Sequence, residues 1–253
     1  MVSEDNHDIQ CGALLAEWFD VEGGDPDPAE LVRSIEQDRP HYTRRPGFVR
    51  KLLPIRVDPG TGKVGSGGFY LFERLQDTDE YFRWTESEYR VDGLLFHERP
   101  FVANLHKFVG QIVGARDFRP IGRSHASLRF QLWSCGERDA EARAARAWPE
   151  LSRVAETSGL ASVWLAADAV SQHIGAVTVA ARTPDTTTDD YDAWRRLAAV
   201  VELDELRPLT KVQDLTLWVF TIWLPAARNA GTSRLWPNSP PLPAPPAVTD
   251  TLR

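Results

Sequence analysis

Apolar residues along this chain fall into short runs of strand length and longer stretches of helical spacing, separated by turns rich in Gly, Pro and Asp. For the first half, this pattern predicts a strand, a helix, two strands joined by a Gly-rich turn, a second helix and a final strand. These predicted elements are, in order, 11–19, 27 to Pro40 or Pro46, 48–57, 67–74, a helix from 77, and 106–115. Pro54 interrupts the second strand, so we expect an edge position or a bulge there.

The second half repeats the same order of elements. They are predicted at 127–133, 140–157, 160–167, 174–182, 189–203 and 215–224. Short motifs also recur at a nearly constant offset of about 107 to 112 residues, as expected of one unit used twice. The recurring pairs are 79–84 with 189–194, Gly47 with Gly159, and Gly68 with Gly175. The sequence therefore predicts an α+β fold of two tandem ferredoxin-like repeats, each with the order βαββαβ.

These patterns divide the chain into an arm, two repeats with a linker between them, and a tail. The segments are 1–10, 11–116, 117–124, 125–225 and 226–253, in that order. The tail is rich in Pro, which indicates a polyproline-like conformation rather than another strand. The first repeat carries Tyr and His near its element ends, whereas the second is rich in Ala, Val, Leu and Trp. We therefore expect the ligand pocket in the first repeat and a scaffold role for the second.

Composition and charge narrow the class of protein. The chain has 253 residues and a formal net charge of -7, with no long basic run, which argues against a nucleic-acid partner. Residues 1–10 lack the basic and apolar regions of a signal peptide, and no apolar run reaches the roughly 18–20 residues of a membrane span. Cys11 and Cys135 alone form neither a disulfide framework nor a metal site. We expect a cytoplasmic protein without a membrane partner.

One cluster of polar residues suggests a catalytic site. No nucleophile elbow, P-loop, dinucleotide fingerprint or zinc-protease motif is present. His97 and Arg99 flank Glu98 beside an apolar segment. A histidine accepts a phenolic proton near neutral pH, and a guanidinium stabilises the resulting oxyanion, so His97 and Arg99 are the predicted catalytic residues. The alternatives are a helix cap, a surface ion pair, or metal ligation by His97 and His106, which lack a third ligand at convincing spacing.

Aromatic residues of the first repeat are candidates for binding a flat substrate, because aromatic faces pack well against planar rings. The predicted substrate-binding residues are Tyr42, Tyr70, Tyr81, Trp84, His106 and Trp18. Tyr81 and Trp84 stand three residues apart on a predicted helix, a spacing that is equally typical of a packed core. Arg50 and Lys51 alternate along a predicted strand, so we expect one of them to face inward or toward the barrel seam, where it needs a partner.

Several of these motifs resemble a known family. The turn Pro46–Phe48, the strand at 67–72 and the helix after it resemble the YdhR-type monooxygenases of the dimeric α/β-barrel superfamily, over the first half of the chain. The two-repeat length, Arg99–Phe101 and 113–120 are similar to oxygenases that open the B ring of angucyclines in jadomycin, gilvocarcin and kinamycin biosynthesis. In single-repeat members two subunits pack sheet against sheet, so the resemblance implies an intramolecular pseudo-dimeric α/β barrel.

The resemblance also implies a function. It implies an oxygenase that uses O2 without metal or haem on an aromatic polyketide, an angucycline-like hydroquinone or phenol, giving oxygenation or C–C ring cleavage. Reduced flavin would come from outside, with a flavin reductase as a candidate partner and a homodimer of pseudo-dimers as a candidate assembly. The alternative is a non-oxidative polyketide cyclase or a ligand-binding ferredoxin-like protein, since one architecture carries many functions.

Overall fold

The chain forms a closed barrel of eight strands with helices packed against its outside. The computed structural model describes residues 8–22, 28–57, 63–119, 126–136, 139–181 and 203–225. In chain order the elements are β1 (Ala13–Val21), α1 (Pro28–Tyr42), β2 (Phe48–Val57), β3 (Val64–Phe72), α2 (Leu75–Arg83), a π turn (Trp84–Glu88), β4 (Arg90–Val91), β5 (Leu94–Leu95), a 3-10 turn (Phe96–Glu98), β6 (Val102–Asp117), β7 (Ala126–Ser134), α3 (Ala140–Thr157), β8 (Ser162–Asp168), β9 (His173–Ala181) and β10 (Thr210–Trp223).

The barrel order is β1-β3-β2-β10-β7-β9-β8-β6, and every neighbouring pair is antiparallel. The first half contributes β6-β1-β3-β2 and the second half β10-β7-β9-β8, so both halves place their strands in the order fourth, first, third, second. Pairing of β2 with β10 and of β6 with β8 joins the halves and leaves no open edge. The helix predicted at 189–203 and the tail at 226–253 lie outside the described residues, apart from Leu203 itself.

Three apolar clusters hold the fold together. One fills the barrel with side chains from both halves, such as Phe69 and Phe130. A second lies between the sheet of the second half and α3, where alanines such as Ala144 let the helix approach closely. The third lies between the sheet of the first half and its helices, and it is rich in Tyr and Trp. Among the described residues, the outer layer of the first half brings together many side chains with polar ends, whereas that of the second half is rich in Ala and Leu.

Most predicted elements are found, and the exceptions have physical reasons. The bounds predicted for β2 and α3 match the structure. β6 and β10 begin earlier than predicted, because each is long enough to pair with one strand of its own half and one of the other half. Pro54 does not lie on an edge strand; the bulge alternative is the one observed, with a register shift in β10 between Val219 and Thr221.

The turn before β2 positions α2. Gly47 has a φ of +66°, and a Cβ there would lie 2.1 Å from a carboxylate oxygen of Asp77. That oxygen accepts a hydrogen bond from the backbone N–H of Arg74 at 2.9 Å. The turn therefore needs glycine for both its backbone conformation and the space that Asp77 occupies at the start of the helix. Among the described helices, none is long and apolar enough to cross a membrane.

Candidate functional site

A cavity lies between the outer sheet face of the first half, α1 and the segment after the 3-10 turn. The space between its walls is about 380 Å³, part of it open to solvent, and the enclosed part is about 20 Å³. An enclosed space of that size holds about one water molecule. The lining side chains that carry a titratable or charged group are Glu17, Asp38, Tyr42, Lys51, Tyr70 and Arg99. Phe19 contacts both Phe96 and Phe101, and the three aromatic rings line the cavity together.

Strand alternation explains how polar residues reach a buried layer. Successive side chains of a strand point to opposite faces, so Leu15, Glu17 and Phe19 of β1 share the outer face. Tyr70 of β3 points the same way. Gly68 lies two residues before Tyr70, and a Cβ there would be 2.4 Å from the Tyr70 ring. The glycine therefore lets this ring lie flat along the sheet.

Lys51 is a buried amine enclosed by aromatic rings. Its Nζ lies 4.5 Å from the ring centroid of Tyr42, 4.7 Å from that of Tyr70 and 4.2 Å from that of Trp223. Burial lowers the pKa of Lys51 to about 7, while Glu17 and Asp38 oppose this shift. Near neutral pH the amine therefore exchanges readily between its charged form, which the rings favour, and its neutral form, which accepts a proton.

Trp223 belongs to β10 and comes from the other half of the chain. Its indole N–H donates to Glu36 Oε1 of α1 at 3.0 Å. β10 reaches the cavity because it pairs with β2 opposite Lys51 and Leu52. Closure of the barrel therefore completes the aromatic enclosure of Lys51.

Glu17 lies at the inner end of the cavity in a network of hydroxyls. The Tyr81 hydroxyl oxygen is 2.9 Å from that of Tyr70 and 3.4 Å from Glu17 Oε2. Burial raises the pKa of Glu17, and the nearby amines of Lys107 and Lys51 partly oppose it. Burial also raises the pKa of both phenols well above the usual value. The phenols therefore stay protonated and can donate hydrogen bonds.

Arg99 also lines the cavity and is held there by Asp38. Its Nη1 donates to Asp38 Oδ2 at 2.9 Å, and the Tyr89 hydroxyl donates to Asp38 Oδ1 at 2.9 Å. Arg99 is only 8% exposed, and its Nε and Nη2 have no hydrogen-bond partner in the described part of the chain. A buried guanidinium with free donors can bind an anionic oxygen.

The structure distributes the sequence-predicted residues over several places. Arg99, Tyr42 and Tyr70 line the cavity. Tyr81 lies behind Tyr70, and Trp84 packs edge-on against Tyr42 with ring centroids 5.1 Å apart. Tyr81 and Trp84 are therefore core side chains that support the wall.

The remaining predicted residues lie elsewhere. His97 is exposed on the 3-10 turn and does not line the cavity, so the structure does not bring it together with the Arg99 side chain. Trp18 and His106 stack with ring centroids 5.4 Å apart, and Trp18 packs against Phe130 of the barrel interior. The roles predicted for these three residues therefore remain predictions.

Sequence reasoning assigned no site role to Lys51, Glu17 or Asp38. The available signal was a charged residue within a largely apolar strand: Glu17 is the single charged residue of the run 11–19, whereas Lys51 stands next to Arg50 in the run 48–57. Arg50 and Lys51 are both buried: Arg50 makes a two-bond ion pair with Asp117, with both distances 2.8 Å, while Lys51 faces the cavity. Within the described residues, no group of three or more His, Cys, Asp or Glu side chains could hold a metal ion.

The fold defines an antiparallel eight-strand α/β barrel with a buried polar cavity on one outer face. No protein-family model matches the chain, and no curated protein matches it significantly. Among solved structures, a proposed monooxygenase of Fusobacterium nucleatum subsp. nucleatum is similar over 85% of this chain and 94% of its own, with a TM-score of 0.55 and 11% identity.

A second solved structure, an anthrone oxidase-like protein, is similar over 88% of this chain and 95% of its own, with a TM-score of 0.50 and 11% identity. A chlorite dismutase variant from Candidatus Nitrospira defluvii matches over 83% of this chain and 92% of its own, with a TM-score of 0.48 and 12% identity. At these identities, the first two likenesses show the fold alone.

Proposed function

We propose that this protein is an oxygenase that removes a proton from a phenolic or enolisable aromatic substrate and lets the resulting anion react with O2. The observation that carries the proposal is the buried Lys51 amine, with a pKa of about 7, in an aromatic cavity that it shares with the Arg99 guanidinium. A base with a pKa near the working pH is the most effective proton acceptor. The first two fold neighbours, a proposed monooxygenase and an anthrone oxidase-like protein, support the same reaction class.

The reaction can be followed on an anthrone-type substrate, in which a CH2 group lies between two aromatic rings. Lys51 Nζ takes one proton from this carbon, and Arg99 stabilises the charge that moves onto the conjugated oxygen. The carbanion transfers one electron to O2, and the substrate radical and superoxide combine to a peroxide anion, which takes up a proton to give the hydroperoxide. Loss of water from the hydroperoxide leaves a carbonyl, so the CH2 group and O2 become C=O and H2O.

The site residues also bear on cofactors. The enclosed space of about 20 Å³ is far smaller than a flavin with its phosphate. We therefore route no step through flavin and keep reduced flavin, delivered by a reductase, only as an external reductant of a quinone substrate. O2 is the proposed co-substrate.

The duplication of the fold and the class of substrate are proposals as well. We infer that the barrel is a duplicated ferredoxin-like unit, a pseudo-dimer within one chain, because the strand order of the first half recurs in the second. An aromatic polyketide of angucycline type, with oxygenation or ring cleavage as the outcome, fits the aromatic walls and the motif resemblance. Such a ring system requires outward movement of Phe96 and Phe101, since the enclosed space is about 20 Å³.

A base and an oxyanion-binding cation also suffice for enolisation without O2, so a non-oxidative cyclase is the second candidate. The test is turnover of 1,8-dihydroxyanthrone under air and under argon, with O2 uptake and product mass recorded together. The oxygenase predicts one O2 consumed per anthraquinone and no turnover under argon. Equal turnover in both atmospheres would refute the oxygenase.

Point variants identify the residue that accepts the substrate proton. Lys51→Met should lower turnover by about 100-fold or more, as expected for loss of a positioned general base, whereas Lys63→Met, at an exposed lysine, should not change it. His97→Ala separates the two hypotheses for the base. Turnover close to wild type assigns the base to Lys51, and a loss of about 100-fold or more would return it to His97.

A further inference from the structure

The least satisfied polar group of the cavity is the guanidinium of Arg99. Its side chain is 8% exposed, and only Nη1 has a hydrogen-bond partner among the described residues, namely Asp38. Nε and Nη2 lie on one edge of the planar guanidinium, and their N–H bonds point in nearly the same direction. A buried polar group without a partner is costly, so an unused pair of parallel donors beside a cavity indicates a ligand.

We propose that the Nε–Nη2 edge of Arg99 is a subsite for a carboxylate, and that the ligand of this cavity is an aromatic carboxylic acid held by two parallel hydrogen bonds. Carboxylates match this fork because their two oxygens are coplanar and accept both bonds at once. A single phenolate or amide oxygen must accept both N–H bonds at one atom, which gives each bond a poorer angle than the two oxygens of a carboxylate do.

The surroundings of Arg99 fit such a ligand. Asp38 accepts a hydrogen bond from Nη1 of the guanidinium and is itself held by the Tyr89 hydroxyl, which positions Arg99 before a ligand arrives. Lys51 lines the same cavity, and its protonated form adds a second positive charge that attracts an incoming carboxylate. Phe96 lies under the guanidinium, 5.3 Å from centroid to Cζ, and provides an aromatic surface for the ring of the acid.

This subsite does not depend on oxygen chemistry, although it shares Arg99 with the proposed reaction. If both hold, the carboxylate occupies the Nε–Nη2 edge of Arg99, which then acts on the reacting oxygen through its charge alone, while another part of the ring system meets Lys51. The test therefore uses binding alone, under argon and without turnover. A negative binding result does not change the outcome expected in the O2-uptake experiment. Absence of O2 uptake, in turn, does not contradict the carboxylate subsite.

The experiment is calorimetric titration with benzoate, and with benzamide as an uncharged probe of the same shape. Benzoate should bind saturably and benzamide at least about 10-fold more weakly, because benzamide offers one acceptor oxygen. Arg99→Lys keeps a cation beside Asp38 but removes the fork, and should weaken benzoate about 10- to 100-fold. Arg90→Lys, at an exposed arginine that pairs with Glu98, is the matched control and should bind benzoate as the wild type does.

A second measurement covers the case in which Arg99→Lys does not fold. The Nε–H signal of Arg99 in a ¹⁵N-labelled wild-type protein should shift on addition of benzoate and not on addition of benzamide. Equal binding of the two probes, no saturable benzoate binding, wild-type affinity in Arg99→Lys, or an unmoved Nε–H signal would each overturn the subsite.

Discussion

Replacement of Lys51 by methionine should stabilise the protein at neutral pH. Methionine has a similar length and flexibility but no charge, so it can fill the space between Tyr42, Tyr70 and Trp223 without an amine to desolvate. The unfolded chain keeps Lys51 protonated up to its ordinary pKa of 10.5, whereas burial lowers the pKa in the folded protein to about 7. Burial of this side chain therefore reduces the free energy of unfolding of the wild type.

The size of the effect follows from the two pKa values. Each tenfold change in acidity corresponds to about 1.4 kcal/mol, so the interval between 10.5 and about 7 is worth roughly 5 kcal/mol as an upper limit. Three aromatic rings favour the ammonium, at about 0.5–2 kcal/mol each, and methionine loses these contacts. We therefore expect a net stabilisation of about 2 kcal/mol for Lys51→Met at pH 7.

The sign of the pH dependence is fixed by linkage. Between pH 7 and 10.5 the unfolded state binds more protons than the folded state, so the wild type gains stability as the pH rises through this window. The advantage of Lys51→Met is therefore full at and below pH 7 and shrinks toward pH 10. Urea unfolding at pH 6, 7, 8, 9 and 10 measures it, with Lys63→Met as the exposed control, expected within about 0.5 kcal/mol at every pH. Destabilisation of Lys51→Met at pH 7, or a difference that does not change with pH, would refute this reasoning.

Two further predictions concern the scaffold of the site. Gly47→Ala should lower the free energy of unfolding by about 2–3 kcal/mol, since it adds a Cβ at positive φ and displaces Asp77, whereas Gly93→Ala, at positive φ with open space around it, should cost only about 1 kcal/mol. Thermal unfolding of both variants measures this, and equal losses would contradict the role of Asp77. Asp117→Ala should cost about 3–5 kcal/mol in urea unfolding, because it breaks a buried ion pair with Arg50. Asp214→Ala, in a more exposed cluster with Arg129 and Lys211, should cost about 1 kcal/mol or less, and a reversed order of the two losses would show that burial of the pair is not decisive.

Local patterns were sufficient to predict most of the architecture. The apolar run of β2 and the helical spacing of α3 gave their bounds, because each element has a clear stop signal at both ends. The repeated order of elements indicated two similar halves, and both halves have the same strand order in the barrel. The bulge at Pro54 was one of two predicted alternatives, since a residue without an N–H must leave a gap in the ladder.

The site was harder to predict because its residues come together only through long-range pairing. Trp223 reaches Lys51 through the contact between β10 and β2, which no local pattern indicates. Asp38 lies on α1 and meets Arg99 from a segment 61 residues later. The polar cluster around His97 did contain one residue of the cavity, Arg99, but a short 3-10 turn directs His97 to solvent. Neighbours in sequence were therefore a poor guide to neighbours in the cavity.

The central claim is that Lys51 is a buried amine able to accept a proton near neutral pH, and direct titration tests it. The chain's lysines are Lys51, Lys63, Lys107 and Lys211, so a protein labelled with ¹³C and ¹⁵N at lysine gives few signals, and the one missing from Lys51→Met belongs to Lys51. The Cε and Nζ shifts of Lys51 should change with a midpoint near pH 7. A midpoint at or above about 10, the ordinary range of an exposed lysine, would contradict it.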